Sequence, residues 1–240
     1  MARAALEMSL SLASRTAVLR SSCQAWRSCG KIVSDCSRPQ ETNCWNCSDA
    51  VQCTKQFFCN HCHSIQPPPE TQNLFEYLGL PVSFEIEDSL LKKRFRELQF
   101  QLHPDKFARA SDHEKEISDE HSRKLNESYK TLSEPLLRAK YLLKILGESD
   151  GTGKDLDPLS LMEMMERNER VAEMSKAEEL TAEKDTVQKE IDSIMTELGK
   201  CFAKKDFEGV RTNITKLSYL YSLRSSIDKR LENKLSAENA

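Results

Sequence analysis

The strongest constraint on this chain is a three-to-four-residue apolar rhythm that persists from residue 73 to residue 235. Leu91, Phe95, Leu98 and Leu102 recur at i, i+4 and i+7. A helix turns about 100° per residue, so these positions form one buried stripe on a helix near 88–102. Leu125, Tyr129 and Leu132 mark a further helix, and Leu136, Leu137, Tyr141, Leu142 and Ile145 another. A short helix, NLFEYLGL, precedes them, with Leu74, Tyr77 and Leu78 on one face and Gly79 at its end. Downstream, Leu180, Val187, Ile191, Ile194, Leu198 and Cys201 form one bundle seam. Val210, Ile214, Leu217, Tyr221, Leu231 and Leu235 form a second. With 7 Gly and 8 Pro in 240 residues, the expected fold is all-α.

One helix, near 158–175, departs from the pattern. Asp157 and Pro158 supply an N-cap and a first helical residue. Leu161, Met164 and Ala172 can face a core. Met162, Met165, Glu166, Glu169 and Glu173 fall on an adjoining face. Methionine beside glutamate makes an adaptable apolar surface with an acidic rim, suited to a peptide carrying apolar and basic groups. The alternative is that the methionines are core and the glutamates a solvated face. Tyr219 and Leu223, off the main stripe of the last helix, favour a binding face.

Eight of nine cysteines precede residue 63, which argues against a disulfide scaffold spread through the fold. Cys44-x-x-Cys47 and Cys59-x-x-Cys62, eleven residues apart, match two thiolate-bearing turns around one tetrahedral ion. With four protein ligands the ion, zinc by ligand type, is structural, in a small β-ribbon whose interior Phe57 and Phe58 fill. A redox dithiol would need a βαβ setting, which is absent. Nucleic-acid binding would need more positive charge than Lys55 supplies. Cys53, His61 and His63 stay unassigned, and Cys201 reads as a buried hydrophobe.

Residues 1–34 are Arg-, Ser- and Ala-rich with a single acid, Glu7. That composition fits a mitochondrial transit peptide, the alternative being a disordered tail. The expected location is therefore the mitochondrial matrix, with a cytosolic pool allowed. A net charge of -3 gives no global basic field for nucleic acid, and no apolar run approaches a membrane span.

Between the second and third helices stands LHPDKF. Pro104 cannot continue a helix and disfavours helical geometry at His103, so His103 and Asp105 are held at a sharp corner. Lys92, Lys93 and Arg96 lie opposite the apolar stripe, leading toward that corner. No Gly-rich phosphate loop, open metal site or paired acid–base points to an enzyme.

The corner, with Leu125-Asn126-x-x-Tyr129-x-x-Leu132 and Arg138-Ala139-x-Tyr141, resembles the J-domain over roughly 72–146. That module activates seventy-kilodalton heat-shock (DnaK-type) ATPases. The resemblance implies activation through His103, Pro104 and Asp105, with Lys92, Lys93 and Arg96 docking on an acidic partner surface. Phe100 departs from a fully basic face. Together with LMEMMERNE and LRSSIDKRLENKL, the chain resembles the HscB family, J-type co-chaperones of iron–sulfur cluster biogenesis.

The resemblance implies a J-domain hairpin and a C-terminal three-helix bundle, with a four-cysteine, zinc-ribbon-like module at 40–66. A linker spans 147–157, and the bundle, 158–236, binds the cluster scaffold protein. The family's client contacts fall on Leu161, Met162, Met165, Glu166 and Glu169, with Tyr219 as the aromatic contact and Glu173 extending the rim. Arg167 and Asn168 interrupt the face. The implied partners are a mitochondrial DnaK-type chaperone, the scaffold and recipient iron–sulfur proteins. Two rivals stay open: a J-protein with another client, and an enzyme using the cysteines.

Overall fold

The computed structural model describes residues 41–52, 56–69, 72–149 and 158–238. Residues 1–34, expected as a transit peptide, together with Cys53, Lys55, Asp157 and most of the expected 147–157 linker, lie outside the described residues. Two short strands, β1 (Glu41–Asn43) and β2 (Ala50–Gln52), pair antiparallel, with Thr42 opposite Val51. Seven α-helices follow: α1 (Leu74–Tyr77), α2 (Asp88–Leu102), α3 (Asp112–Ser133), α4 (Pro135–Ile145), α5 (Pro158–Glu173), α6 (Ala177–Lys204) and α7 (Phe207–Glu238). Among the described residues the fold is all-α apart from the ribbon, as the periodicity predicts.

Local chemistry explains the boundaries. The Asn73 side chain accepts from the Glu76 N–H to start α1, and Gly79 stops it at φ +68, a conformation glycine adopts without a Cβ penalty. Ser111 and Glu114 close a reciprocal capping box on α3. Pro135 occupies the first turn of α4, where its missing N–H costs nothing. The turn from α6 to α7 has no glycine or proline to announce it. Lys205 takes the left-handed conformation, φ 58, and Asp206 N–H donates to the Cys201 carbonyl at 2.9 Å. The Asp206 carboxylate then accepts from the Gly209 N–H at 3.0 Å. One lysine–aspartate pair ends one helix and caps the next.

Helices α2 and α3 form an antiparallel hairpin, with Phe95 against Tyr129 at 4.4 Å between ring centroids. Leu91, Leu125 and Leu132 are buried in its seam, backed by α1 and α4. In the bundle, Leu180, Val187, Ile191, Leu198 and Cys201 of α6 meet Val210, Ile214 and Leu217 of α7. The seam of α7 then continues through Leu220, Leu223 and Ile227, all buried. Leu223 is therefore core, not part of an exposed face: the seam drifts around so long a helix, and α4 covers the side that α6 leaves open.

Hairpin and bundle are not two bodies joined by a linker. One apolar cluster runs from Leu74 and Phe75 through Leu142 and Leu143 to Leu198, Leu217 and Ile227. Phe84, in the loop before α2, stacks on Phe202 of α6 at 5.3 Å. Gly199 leaves room for that loop, since a Cβ there would meet the Glu85 carboxylate at 2.8 Å. Arg138 is buried under the Phe84 ring and donates to the Leu132 carbonyl at 2.8 Å. Burial lowers its pKa from the ordinary value, opposed by Asp88 and Tyr221. At the rim, Arg211 of α7 pairs with Glu148 at 2.6 Å.

A shared core predicts shared unfolding. Phe84→Ala should cost about 3–5 kcal/mol. Denaturant midpoints followed at α3 and at α7 should fall together; separate transitions would contradict the continuous core.

Candidate functional site

Each CxxC folds into the same small turn. Ser48 N–H donates to Cys44 O and Cys44 N–H to Asp49 O, at 2.9 and 2.7 Å. In the second turn His63 N–H donates to Cys59 O and Cys59 N–H to Ser64 O, both at 3.0 Å. Ser48 and His63 take matching left-handed conformations, φ 61 and 60. Backbone N–H groups of Asn46 and His61 point at Cys44 Sγ and Cys59 Sγ, each at 3.4 Å. Such donors favour thiolate over thiol.

The four sulfurs lie within 4.8 Å of one another, with Cys44–Cys62 and Cys47–Cys59 both at 3.6 Å. Disulfides need about 2.05 Å. Tetrahedral zinc–sulfur bonds of about 2.3 Å instead require sulfurs about 3.8 Å apart. The donor set therefore fits one metal ion. The sulfurs perturb one another: hydrogen bonds from Ser64 pull the Cys62 pKa down to about 5. Cys47 is pushed up to about 12, despite a favourable Asp49 N–H, by burial and its sulfur neighbours. Deprotonating all four sulfurs at this spacing requires a cation. His61 and His63 are exposed and not part of the cluster.

Phe57 and Phe58 do not fill the ribbon's interior. Phe57 stands edge-on to Tyr77 and His121, at 5.8 and 5.5 Å. Phe58 joins Ile65, Leu102, Ile117 and Phe107 in a second apolar cluster. So small a module, with its sulfurs at the centre, has no interior for two phenyl rings, and they attach it to the hairpin. Trp45 adds an edge contact to His113 at 4.5 Å and an N–H bond to Ile65 O at 2.7 Å.

His103 caps α2 in an extended conformation, φ −65 and ψ 131, and Pro104–Phe107 forms a 3-10 turn. The Asp105 N–H donates to His103 Nδ1 at 3.2 Å. The Asp105 carboxylate stands 3.5 Å from the same nitrogen. The Asp105 side chain is 91% exposed. Lys92, Arg96 and His103 are spaced four and seven apart and so share one side of α2, with Arg96 about 10 Å from His103 along the axis. Lys92, Lys93 and Arg96 are all exposed. Phe100, 72% exposed, interrupts this face, but Lys106 from beyond the corner places its ammonium 3.6 Å from the ring centroid. Positive charge thus covers the exposed phenyl ring.

Helix α5 is attached in an unusual way. Val171 is its one buried residue. Polar struts do the rest: Tyr219 donates to Met164 O at 2.9 Å and Arg230 to Met174 O at 3.0 Å. Arg167 binds Glu183 and Glu190 of α6, both at 2.7 Å. Arg167 was expected to interrupt the client face; it turns inward instead, because two carboxylates await it. Leu161 and Ala172, expected candidates for the core, are exposed. Leu159, Leu161, Met162 and Met165 are 67, 51, 57 and 56% exposed. Glu166, Glu169 and Glu173 are exposed beside them. Tyr219 is half-buried, with its hydroxyl committed to α5. Leu159 belongs to the same exposed row, and its position next to Pro158 concealed it.

A helical hairpin with an exposed His-Pro-Asp corner, backed by a bundle, defines a J-domain protein. The comparisons agree: residues 73–141 match the DnaJ domain, and 156–228 the HSCB C-terminal oligomerisation domain. The Mus musculus iron-sulfur cluster co-chaperone protein HscB is 36% identical over 188 residues, covering 77% of this chain and 80% of its own. Its Homo sapiens counterpart is 34% identical over 196 residues, with the same coverage. The crystal structure of human co-chaperone protein HscB superposes with a TM-score of 0.73 at 30% identity, covering 78% of this chain and 98% of that one. HscB from Vibrio cholerae gives 0.61 at 33% identity, over 68% and 99%. The chain belongs to the HscB family of co-chaperones.

His121 is a buried titratable group outside the corner. Burial lowers its pKa from the ordinary 6.5, while its bond to Gln66 opposes and Lys124 adds to the shift. The folded state thus holds it neutral, whereas the unfolded chain takes up a proton as pH falls below 6.5. Stability should be fully present above that value and decline below it, by up to about 1.4 kcal/mol per pH unit. Denaturation midpoints at high and low pH measure this; an equal slope in His121→Gln would contradict the assignment.

Proposed function

We propose that this protein is a co-chaperone of iron–sulfur cluster assembly that activates a mitochondrial DnaK-type ATPase and delivers the cluster scaffold to it. The reading assigns activation to His103, Pro104 and Asp105, and docking on an acidic partner surface to Lys92, Lys93 and Arg96. It assigns scaffold binding to Leu161, Met162, Met165, Glu166, Glu169 and Glu173 of α5, flanked by Tyr219. The observation that carries it is the pairing of two unfinished surfaces on one continuous core. One is an imidazole and a carboxylate ending a cationic helix face; the other is an apolar row with an acidic rim on a helix that buries a single valine. Mouse and human relatives named as iron–sulfur cluster co-chaperones support the cargo.

The physics is differential binding. Corner and cationic face contact the hydrolysis-competent form of the partner better than its resting form, and so shift its population. The α5 face meanwhile holds the scaffold close, raising its effective concentration at the partner's peptide site. Cluster release to recipient proteins follows. Nothing in this scheme requires the chain itself to turn over a substrate. The reading divides the chain into a metal module at 40–66, a J-domain at 72–146 and a scaffold-binding bundle at 158–236, with 1–34 as a matrix-targeting segment and a cytosolic pool allowed. Cys44, Cys47, Cys59 and Cys62 would hold a structural zinc ion, which supplies no catalysis but fixes the two turns. Among the described residues no helix is long and apolar enough to cross a membrane.

Single-turnover ATP hydrolysis by the partner tests both surfaces. His103→Gln should abolish stimulation while leaving scaffold affinity intact. Met162→Ala with Glu166→Ala should weaken scaffold binding by about tenfold or more, the scale of losing a central apolar contact, and leave basal stimulation unchanged. Stimulation by His103→Gln equal to wild type would refute the corner's role, and unchanged scaffold affinity that of α5. A different client is the second reading, and a bundle that captures other proteins in preference to the scaffold would favour it.

A further inference from the structure

The four-thiol site and the His103–Asp105 corner are joined through one dipeptide, Ile65–Gln66. Gln66 is 4% exposed. Its side-chain amide donates to Cys44 Sγ at 3.3 Å and to Ser64 O at 2.9 Å. Its backbone N–H donates to Phe57 O at 2.8 Å. Its backbone carbonyl accepts from His121 Nε2 on α3 at 2.7 Å. A carbonyl can only accept, so Nε2 carries the imidazole proton and Nδ1 accepts from the Tyr77 hydroxyl at 2.9 Å. A buried chain of polar groups thus runs from a metal-site sulfur into the hairpin core.

Ile65 completes the link. It is fully buried against Leu102 and Ile117, with Phe58 and Phe107 at the edge of the same cluster. Leu102 immediately precedes His103, and its carbonyl accepts from Ser118 Oγ at 3.0 Å. Phe107 closes the 3-10 turn that begins at Pro104. The corner rests on residues from the cysteine module.

We propose that Gln66 is a positioning residue that transmits metal occupancy of the four-cysteine module to the His103–Asp105 corner. An ion bound to all four sulfurs fixes Cys44 Sγ as the acceptor for the Gln66 amide; without the ion that sulfur is free to move away from it. Without the ion the buried amide keeps Ser64 O but loses its second acceptor, and a buried N–H left unpaired is unfavourable. The Phe57–Gln66 segment then opens locally, uncovering Ile65 and releasing Leu102 and Phe107. An activating corner ordered only part of the time binds its partner in proportion to the ordered fraction. The J-domain would in this way report the metal status of its own module. That last consequence rests on the function proposed above, whereas the structural coupling does not.

Amide hydrogen exchange on the full chain tests the coupling, comparing protein loaded with zinc, treated with a chelator, and reloaded. Exchange over 98–121 should accelerate about tenfold or more on chelation, with α6 and α7 unchanged, and zinc should restore it. Gln66→Leu with zinc bound should exchange faster over the same residues. Equal protection in loaded and stripped wild type would overturn the coupling, and protection of zinc-bound Gln66→Leu at the wild-type level would overturn the role of Gln66. Parallel single-turnover ATPase assays separate the two readings. Exchange that responds while stimulation does not supports the coupling and counts against the corner as activator; scaffold affinity should be unaffected by chelation.

Discussion

Packing of α7 against both α4 and α6 is the contact on which the rest of this molecule depends. It merges what could have been two domains into one apolar core, with Phe84 on Phe202 and Arg211 on Glu148 closing its edges. Domains joined only by a polar loop would drift, and two surfaces on them would have no fixed relation. Here the corner at the end of α2 and the exposed row of α5 belong to one body. The rigidity costs buried polar groups, notably Arg138 with its Nε unpaired, offset by packing beneath Phe84.

Each candidate surface lies where local rules are broken in a controlled way. Pro104 stops α2 while the apolar stripe of that helix is still anchored at Leu102, so a buried residue directly precedes an exposed histidine. Helix α5 is held by arginine and tyrosine struts and by Val171, while Leu159, Leu161, Met162 and Met165 are exposed. An exposed apolar row of this kind on a helix that buries one valine is unsatisfied alone. In the cysteine module, sulfurs occupy the centre and the aromatic rings turn outward onto the hairpin.

Much of this was legible in the sequence. Periodicity located the helices because a long amphipathic stripe has few other solutions, and paired CxxC spacing located the sulfurs because turn geometry is local. Pro104 announced the corner for the same reason. Legibility failed wherever the deciding neighbour was distant in sequence. Nothing near Phe57 and Phe58 indicates that Tyr77, His121 and Leu102 will receive them. Arg167 reads as a surface charge until Glu183 and Glu190 are brought beside it, and Leu223 reads as off-stripe until α4 covers it. The Lys205–Asp206 turn carries none of the usual residues because the aspartate cap and a left-handed lysine do the work of glycine. Gln66 lies just beyond the second CxxC, yet only the fold brings Cys44 and His121 to either side of it.

Under the proposed function, a single body with cargo on α5 and the activating corner on α2 should act as one connector. The most direct measurement titrates the full chain into single-turnover ATP hydrolysis by the DnaK-type partner, with the scaffold saturating or omitted. A connector predicts that scaffold shifts half-maximal stimulation to lower chain concentration and raises the maximal rate. Superimposable curves with and without scaffold would contradict it.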